Sequence, residues 1–411
     1  MPTNNFNNIA YITKSALSVL KNQLVLIPRV NRTYEPEFDK GMGKVGDTVN
    51  ARIPGYGTVV RGKVASPAGY NDSYIPIVVA QSNASLRFSS KELALNVESA
   101  PEFERSVLGP QMAALVNQME ADGFNLYNQF SSSTGTPGTK PTDLQYFLDA
   151  QATIAEFATP VDDEVYAYLS PRVQSSMVQG LKGLFQDSSE ISKQYKKGIM
   201  GTAAGMNFMM SQNVPTHQTG TWSGTPVMNG ATLEAATTLA INGFGGATDT
   251  FKKGDILQIA GVYAVNPVSK QSTGQLMQFR VTADTAAIGN AMAALPVSPT
   301  LYTATSGPLQ NITALPLTTA AVTVFGAAAT YSNKVSPASL VMHRDALAFV
   351  AADLPQTTSA DLQHRTRDKD LGLSIRVSRY WDGVNDDLLF RLDVLYGWAV
   401  LRDKFGCRVQ G

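Results

Sequence analysis

Cysteine is all but missing: Cys407 stands alone among 411 residues, so no disulfide can form within the chain, and a folding site in the cell interior is expected. Charge is scarce, at 16% of residues, and it cancels, with 33 Lys and Arg against 33 Asp and Glu. Zero formal charge argues against a chain-wide basic grip on nucleic acid, although local basic patches remain open. No apolar run is long enough to cross a bilayer. The opening MPTNNFNNIAYITKSALSVLK places Lys14 inside its most apolar part, which is unlike a signal peptide. A soluble chain without a membrane partner is the expectation. Histidine is rare as well: His217, His343 and His364 are far apart in sequence, and none has a second ligand at a metal-binding spacing.

Motifs for chemistry are equally thin. GMGKVG, with Gly41, Gly43 and Gly46, matches a dinucleotide fingerprint by letters, but a strand follows where a helix N-terminus is needed. Gly57 to Lys63 has phosphate-loop spacing, yet Val64 stands where a magnesium-binding hydroxyl is required. No Gly-x-Ser-x-Gly elbow frames a nucleophile. Asp386-Asp387 and Asp162-Asp163-Glu164 could hold a cation, but read better as solvated turns and helix-start charges. Arg365, Arg367 and Lys369 interleave with Asp361, Asp368 and Asp370 in what reads as an exposed loop, a mixture suited to ion pairing between subunits. No catalytic residue, cofactor site or metal site is assigned, and an enzyme is not expected.

What the chain does contain is architecture. Residues 101–130 carry Val107, Leu108, Met112, Leu115, Val116, Met119, Leu126, Tyr127 and Phe130 at helical spacing, with Gln111, Asn117, Glu120, Asp122 and Asn125 on the opposite side. This predicts a long two-sided spine helix, kinked or begun at Gly109-Pro110. Residues 9–27 predict an N-terminal amphipathic helix ended by Pro28. From 32 to 95 the period changes to two, in TVNARIP, YIPIVVAQ and NASLRF, with glycine and proline turns between. Strands with so little apolar residue between them predict a hairpin arm that must lie on another molecule.

After the low-complexity stretch SSSTGTPGTKP, read as a linker, the chain predicts a mixed layer. A helix follows Thr142-Asp143, EVYAYL forms a strand, Ser170-Pro171 starts a second helix, and NFMMSQ forms another strand. Residues 216–331 hold 8 charged residues in 116, against 58 in the other 295, and predict an all-β insertion, with a small barrel as its form. SLVMHRDALAFVAADLP then reads as a strand running into a helix. LGLSIRVSRYWD and LLFRLDVLYGWAVLR read as strands, the second with Phe390, Leu392 and Val394 on a core face and Arg391 and Asp393 on a polar one.

Several separated stretches, KVGDTVNARIP, SPRVQSSMVQGLKGLF, NFMMSQNVPTHQTG, KKGDILQIAGVYAVNPVSKQSTGQLMQF and RLDVLYGWAVLRDKFGCRV, resemble the major coat proteins of short-tailed, podovirus-type bacteriophages, the branch of the tailed-phage capsid fold with an insertion domain. The resemblance implies an α+β fold laid out as an N-arm (1–31), an extended β-hairpin loop (32–95), a peripheral domain with the spine helix (96–141), and a first axial part (142–215). An inserted β-barrel (216–335), a second axial part (336–378) and C-terminal strands of the peripheral domain (379–411) follow.

It further implies self-assembly into hexamers and pentamers of an icosahedral virion shell around double-stranded DNA, without sequence-specific contact. A scaffolding protein would assist assembly in the host cytoplasm, and a portal protein would occupy one vertex. Lys40, Lys44, Arg52, Arg61, Lys63 and Asp72 in the loop are the expected inter-subunit contacts. Lys-Asn cross-linking, known in some tailed-phage shells, is not expected of this branch. A non-viral encapsulating shell of the same fold is the alternative; an enzyme or a β-rich adhesin stand further off.

Overall fold

The computed structural model describes residues 24–34, 48–57, 63, 72–91, 109–160, 162–180, 201–325, 331–356, 362–368 and 372–410. The expected N-terminal helix therefore lies outside the described residues. The chain divides into two compact units, the first taking residues 1–51, 75–123 and 347–399, the second 52–74, 124–346 and 400–411.

In the first unit the spine helix runs Gly109–Phe124, followed by a short 3-10 turn Asn125–Gln129. Pro110 is its second residue, where a missing N–H costs nothing. Met112, Leu115, Val116 and Met119 are buried along one stripe, each contributing roughly 1.5–3 kcal/mol of hydrophobic stabilisation. The long strand Asp387–Val400 is the partner of this helix: Trp398 Nε1 donates to the Met119 carbonyl at 3.1 Å, and the Tyr396 hydroxyl donates to Asp122 at 2.6 Å. Gly123 is required by this packing, because a Cβ there would stand 2.7 Å from Leu26 and 2.8 Å from Trp398.

Glu120 departs from its expected place on the polar side. It is 1% exposed, and its Oε1 accepts the backbone amides of Val25 and Leu26, which precede the 3-10 turn Ile27–Arg29. The carboxylate thus caps the segment that crosses the helix.

The five-stranded sheet of this unit pairs the long strand with Ser374–Asp382, Ala80–Ser89 and Leu347–Ala352, and Ser374–Asp382 with Leu362–Arg367. Three expectations change here. Residues 80–89, read within the hairpin arm, form a sheet strand registered from Asp387↔Ser89 to Tyr396↔Ala80. Residues 347–352, read as helix, form a strand, because LAFVAA is buried on both faces and a wholly apolar run has no periodicity to separate the two states. Arg365 and Arg367 lie in a strand, and both pair with Asp353 of the same chain, at 3.5 and 3.8 Å; Asp361, Lys369 and Asp370 fall outside the described residues.

The polar face of the long strand is itself covered. Asp393 is 0% exposed and receives Arg376 Nη2 at 2.8 Å, Arg391 Nε at 2.6 Å and Gln81 Nε2 at 2.8 Å, so one carboxylate clasps three neighbouring strands. A buried carboxylate is tolerable only with such partners.

The second unit holds a six-stranded sheet ordered Ser132–Gly135, Gly406–Gln410, Ser339–His343, Val165–Leu169, Met206–Met210, Thr202–Ala203. SSTG, read as linker, is its edge strand and runs parallel to the last strand. Helices Gln145–Glu156 and Pro171–Gly180 bury Phe147, Ala150, Ile154, Val173 and Met177 against Val165, Ala167, Val341, Cys407 and Val409. The N-cap of the first helix falls on Leu144, while Asp143 accepts the Gln145 amide at 3.3 Å. Ser170 Oγ accepts the Val173 amide at 3.3 Å at the second.

From this sheet the chain leaves and returns through paired strands, Thr216–Gln218 antiparallel to Val335–Pro337. Between them a six-stranded sheet ordered Val322–Thr323, Ile256–Val265, Ser272–Val281, Ala291–Ser298, Thr238–Phe244, Gly224–Met228 is closed on itself by the bridge Val227↔Ala321. Closure removes both sheet edges. Its interior is apolar, with Phe251, Leu257, Ile259, Met277, Phe279, Val281 and Leu295 fully buried.

Replacing Glu120 by Ala leaves two amides without their acceptor and lowers unfolding stability by on the order of 2–3 kcal/mol, read from denaturant midpoints. Glu120→Gln keeps an acceptor oxygen and loses less. Equal losses for the two variants would show that the charge, and not the capping geometry, matters.

Candidate functional site

The insertion is poor in charge, and the structure shows how its charge is used. All four of its carboxylates, Glu234, Asp249, Asp255 and Asp284, accept backbone amides: Thr303 N at 2.7 Å, Ser223 N at 2.9 Å, Lys252 N at 2.8 Å and Lys253 N at 2.6 Å respectively. Each fixes a loop between strands. The most deeply placed is Asp255, at the root of the barrel, whose Oδ2 also accepts Gly220 N at 3.0 Å.

Asp255 Oδ1 lies 2.9 Å from His217 Nε2, and His217 Nδ1 lies 3.0 Å from the Tyr127 hydroxyl. A carboxylate oxygen only accepts, so Nε2 carries the proton and Nδ1 accepts from Tyr127. Burial raises the Tyr127 phenol above its ordinary value, opposed by the nearby Arg408 cation, which keeps the hydroxyl a donor. His217 and Asp255 are 3% and 2% exposed, while Tyr127 is half-buried. The three members of this relay come from the 3-10 turn after the spine helix, from the outgoing neck strand and from the turn before the first long barrel strand. Gly254, at φ +98°, is needed in that turn: a Cβ would stand 3.1 Å from His217 Cε1 and 3.1 Å from Asn128 Cβ. The arrangement has the form of a proton-relay triad, and its hydrogen bonds tie the turn after the spine helix, the neck strand and the root of the barrel together.

The second histidine also has partners that sequence spacing hid. His343 sits with Asp162 and Glu164 in a cluster with metal-ligating chemistry. Its atoms are engaged, however. His343 Nδ1 accepts the Asp345 amide at 3.1 Å, leaving Nε2 to donate to Asp162 at 3.1 Å, and Glu164 pairs with Arg344 at 2.8 Å. Partial desolvation pushes the Asp162 carboxyl up, yet the hydrogen bond from His343 holds it below the usual range. Asp162 and Glu164 precede the strand Val165–Leu169, so they are not helix-start charges. Asp386 and Asp387 close the hairpin of the long strand, where Ser90 donates to Asp386 at 2.8 Å and Arg87 pairs with Asp387 at 3.4 Å.

Of the residues expected to contact other subunits, Arg52 and Asp72 meet each other at 2.5 Å, an intrachain pair at the two-stranded ribbon of Thr48–Ile53 with Ser73–Val78. Lys63 lies exposed in a bend. Lys40, Lys44 and Arg61 lie outside the described residues. Beside an apolar cleft lined by Tyr56, Phe157, Val265, Met277, Leu309 and Phe405, Lys404 places its ammonium 4.6 Å from the centre of the Phe157 ring. Burial pulls this ammonium down to about 8, against the opposing pull of Asp403.

These residues build and brace a scaffold. The match of residues 82–411 to a family of coat proteins defines the class: a structural protein of a viral capsid shell. That family is described as P22 coat protein, gene protein 5, and the chain belongs to it. It is a major capsid protein of a tailed phage, with the α+β tailed-phage capsid fold and an inserted all-β domain. No curated protein matches the chain. Among solved structures, a Mycobacterium phage Che8 chain shares 12% identity over 94% of this chain and 91% of its own, with a TM-score of 0.48. The capsid of Ralstonia phage GP4 shares 9% over 93% and 86%, at 0.43. A virus-like particle from Pyrococcus furiosus shares 8% over 97% and 98%, at 0.38.

Two outcomes test this site. Asp255→Asn strips the charge from three amide and imidazole donors and sets an NH2 against one of them; unfolding stability falls by about 2–4 kcal/mol, and amide exchange accelerates first in the neck strands. For Lys404 the folded value of about 8 lies below its unfolded one, so the unfolded chain binds more protons between them and wild-type stability rises with pH across that window. Lys404→Met is therefore more stable than wild type at pH 7, and its advantage shrinks between pH 8 and 10 in urea titrations.

Proposed function

We propose that copies of this chain close into an icosahedral shell of hexamers and pentamers around double-stranded DNA, and that the ribbon Thr48–Ile53 with Ser73–Val78 is one of the surfaces that joins them. The observation that carries this is the two-faced burial of the ribbon. Val49, Ala51 and Ile77 are buried, while Tyr74 is 63% and Val78 51% exposed on the outward face. A two-stranded ribbon is marginal alone, and two large apolar side chains on its free face gain burial from a neighbouring subunit. Arg52 and Asp72, already paired, present one neutral unit on that surface, and Lys40, Lys44, Arg61 and Lys63 are the further contacts this reading takes from the sequence.

On this reading residues 1–31 and 32–95 are the N-arm and extended loop, 96–141 and 379–411 the peripheral domain, 142–215 and 336–378 the axial domain, and 216–335 the inserted barrel. The strands at 80–89 and 347–367 extend the peripheral sheet further than those boundaries imply. A scaffolding protein directs assembly in the host cytoplasm, a portal fills one vertex, and the shell does no catalysis. The phage family favours this over the non-viral shell.

Expressed with a scaffolding protein, the chain gives closed particles by electron microscopy. Tyr74→Asp with Val78→Asp abolishes them while leaving the circular-dichroism melt within a few degrees of wild type. Normal particles from the double variant would remove the ribbon from the interface, and compact single molecules from the wild type under all conditions would remove the shell.

A further inference from the structure

The most unusual group in the second unit is Arg408. Its side chain is 0% exposed, yet Nε, Nη1 and Nη2 are all buried without a hydrogen-bond partner. Its one close neighbour with π character is the Tyr127 ring, 6.0 Å from the guanidinium carbon. The nearby carboxylate, Asp255, has both oxygens taken by His217, Gly220 N and Lys252 N.

Around this cation the other orphaned groups can also donate. Ser133 stands opposite Arg408 in the parallel strand pair, and its hydroxyl is buried without a partner, as is Nε of Arg280, whose charge acts on Arg408. Gly254 leaves out the Cβ that would stand 3.6 Å from Arg408 Nη1. A buried guanidinium with five N–H donors and no acceptor is strongly unfavourable. Hydroxyl and guanidinium donors around a glycine cradle match a small monovalent anion, which accepts from every side and neutralises the charge.

We propose that Arg408 holds a halide-sized anion at the root of the inserted barrel, with chloride as the occupant in solution, and that this ion is part of the folded subunit.

The test uses the full chain in denaturant at constant ionic strength, exchanging sodium gluconate for sodium chloride. The folded-to-unfolded ratio rises about tenfold for each tenfold rise in chloride above its dissociation constant, and Arg408→Met, which removes the charge while filling its volume, shows no such rise. A wild type equally stable in both salts, or a variant that keeps the chloride response, overturns the proposal. Should Arg408→Met not fold, crystals of the wild type grown in sodium bromide decide: an anomalous peak beside the guanidinium supports the site, and ordered density there without anomalous signal assigns it to water and overturns it.

Discussion

Everything in the second unit depends on a short antiparallel contact, Thr216–Gln218 against Val335–Pro337. A barrel of more than a hundred residues is inserted into a sheet through this neck, and three paired residues on each side would be a weak hinge by themselves. The Tyr127, His217 and Asp255 relay stiffens it, because each member comes from a different part of the chain and the His217–Asp255 bond at its centre is buried. A fully partnered polar network specifies one arrangement, where an apolar contact would permit sliding.

The same economy runs through the molecule. Charge is scarce and is spent on backbone: Glu120 caps the amides of the crossing segment, Asp393 clasps three strands, and the four carboxylates of the insertion tie loops. Such buried carboxylates contribute mainly by leaving no amide unsatisfied. The chain as a whole carries 33 basic and 33 acidic residues, a balance that suits a coat subunit packed beside others without long-range repulsion.

Local periodicity made much of this legible. Alternation in TVNARI and in the barrel strands, the helical stripe of Met112, Leu115, Val116 and Met119, and the fall in charge at residue 216 all carry their meaning within a short window. What stayed hidden depends on partners far away. LAFVAA has no alternation because both faces are covered. SSTG is too polar and short to declare itself a strand until Gly406–Gln410 is beside it. Glu120, His217, His343 and Arg408 carry no local mark at all, since their roles exist only when separate strands converge. Contacts between subunits are hard to read from sequence, because a charged residue in an extended loop reads the same whether its partner is Asp72 or another subunit.

The sheet of the second unit is built from strands that meet late. Ser131, beside its edge strand, bonds to Asp403 across 272 residues of chain, and the last strand lies between two others that precede it. The barrel is different: Ile256–Val265 and Ser272–Val281 are joined by a tight turn and pair directly. Short loops close faster than long ones, and high contact order slows folding. During folding the insertion would be a finished object while the surrounding layer is still open, offering its neck strands as the first fixed edge onto which the remainder of the subunit can settle.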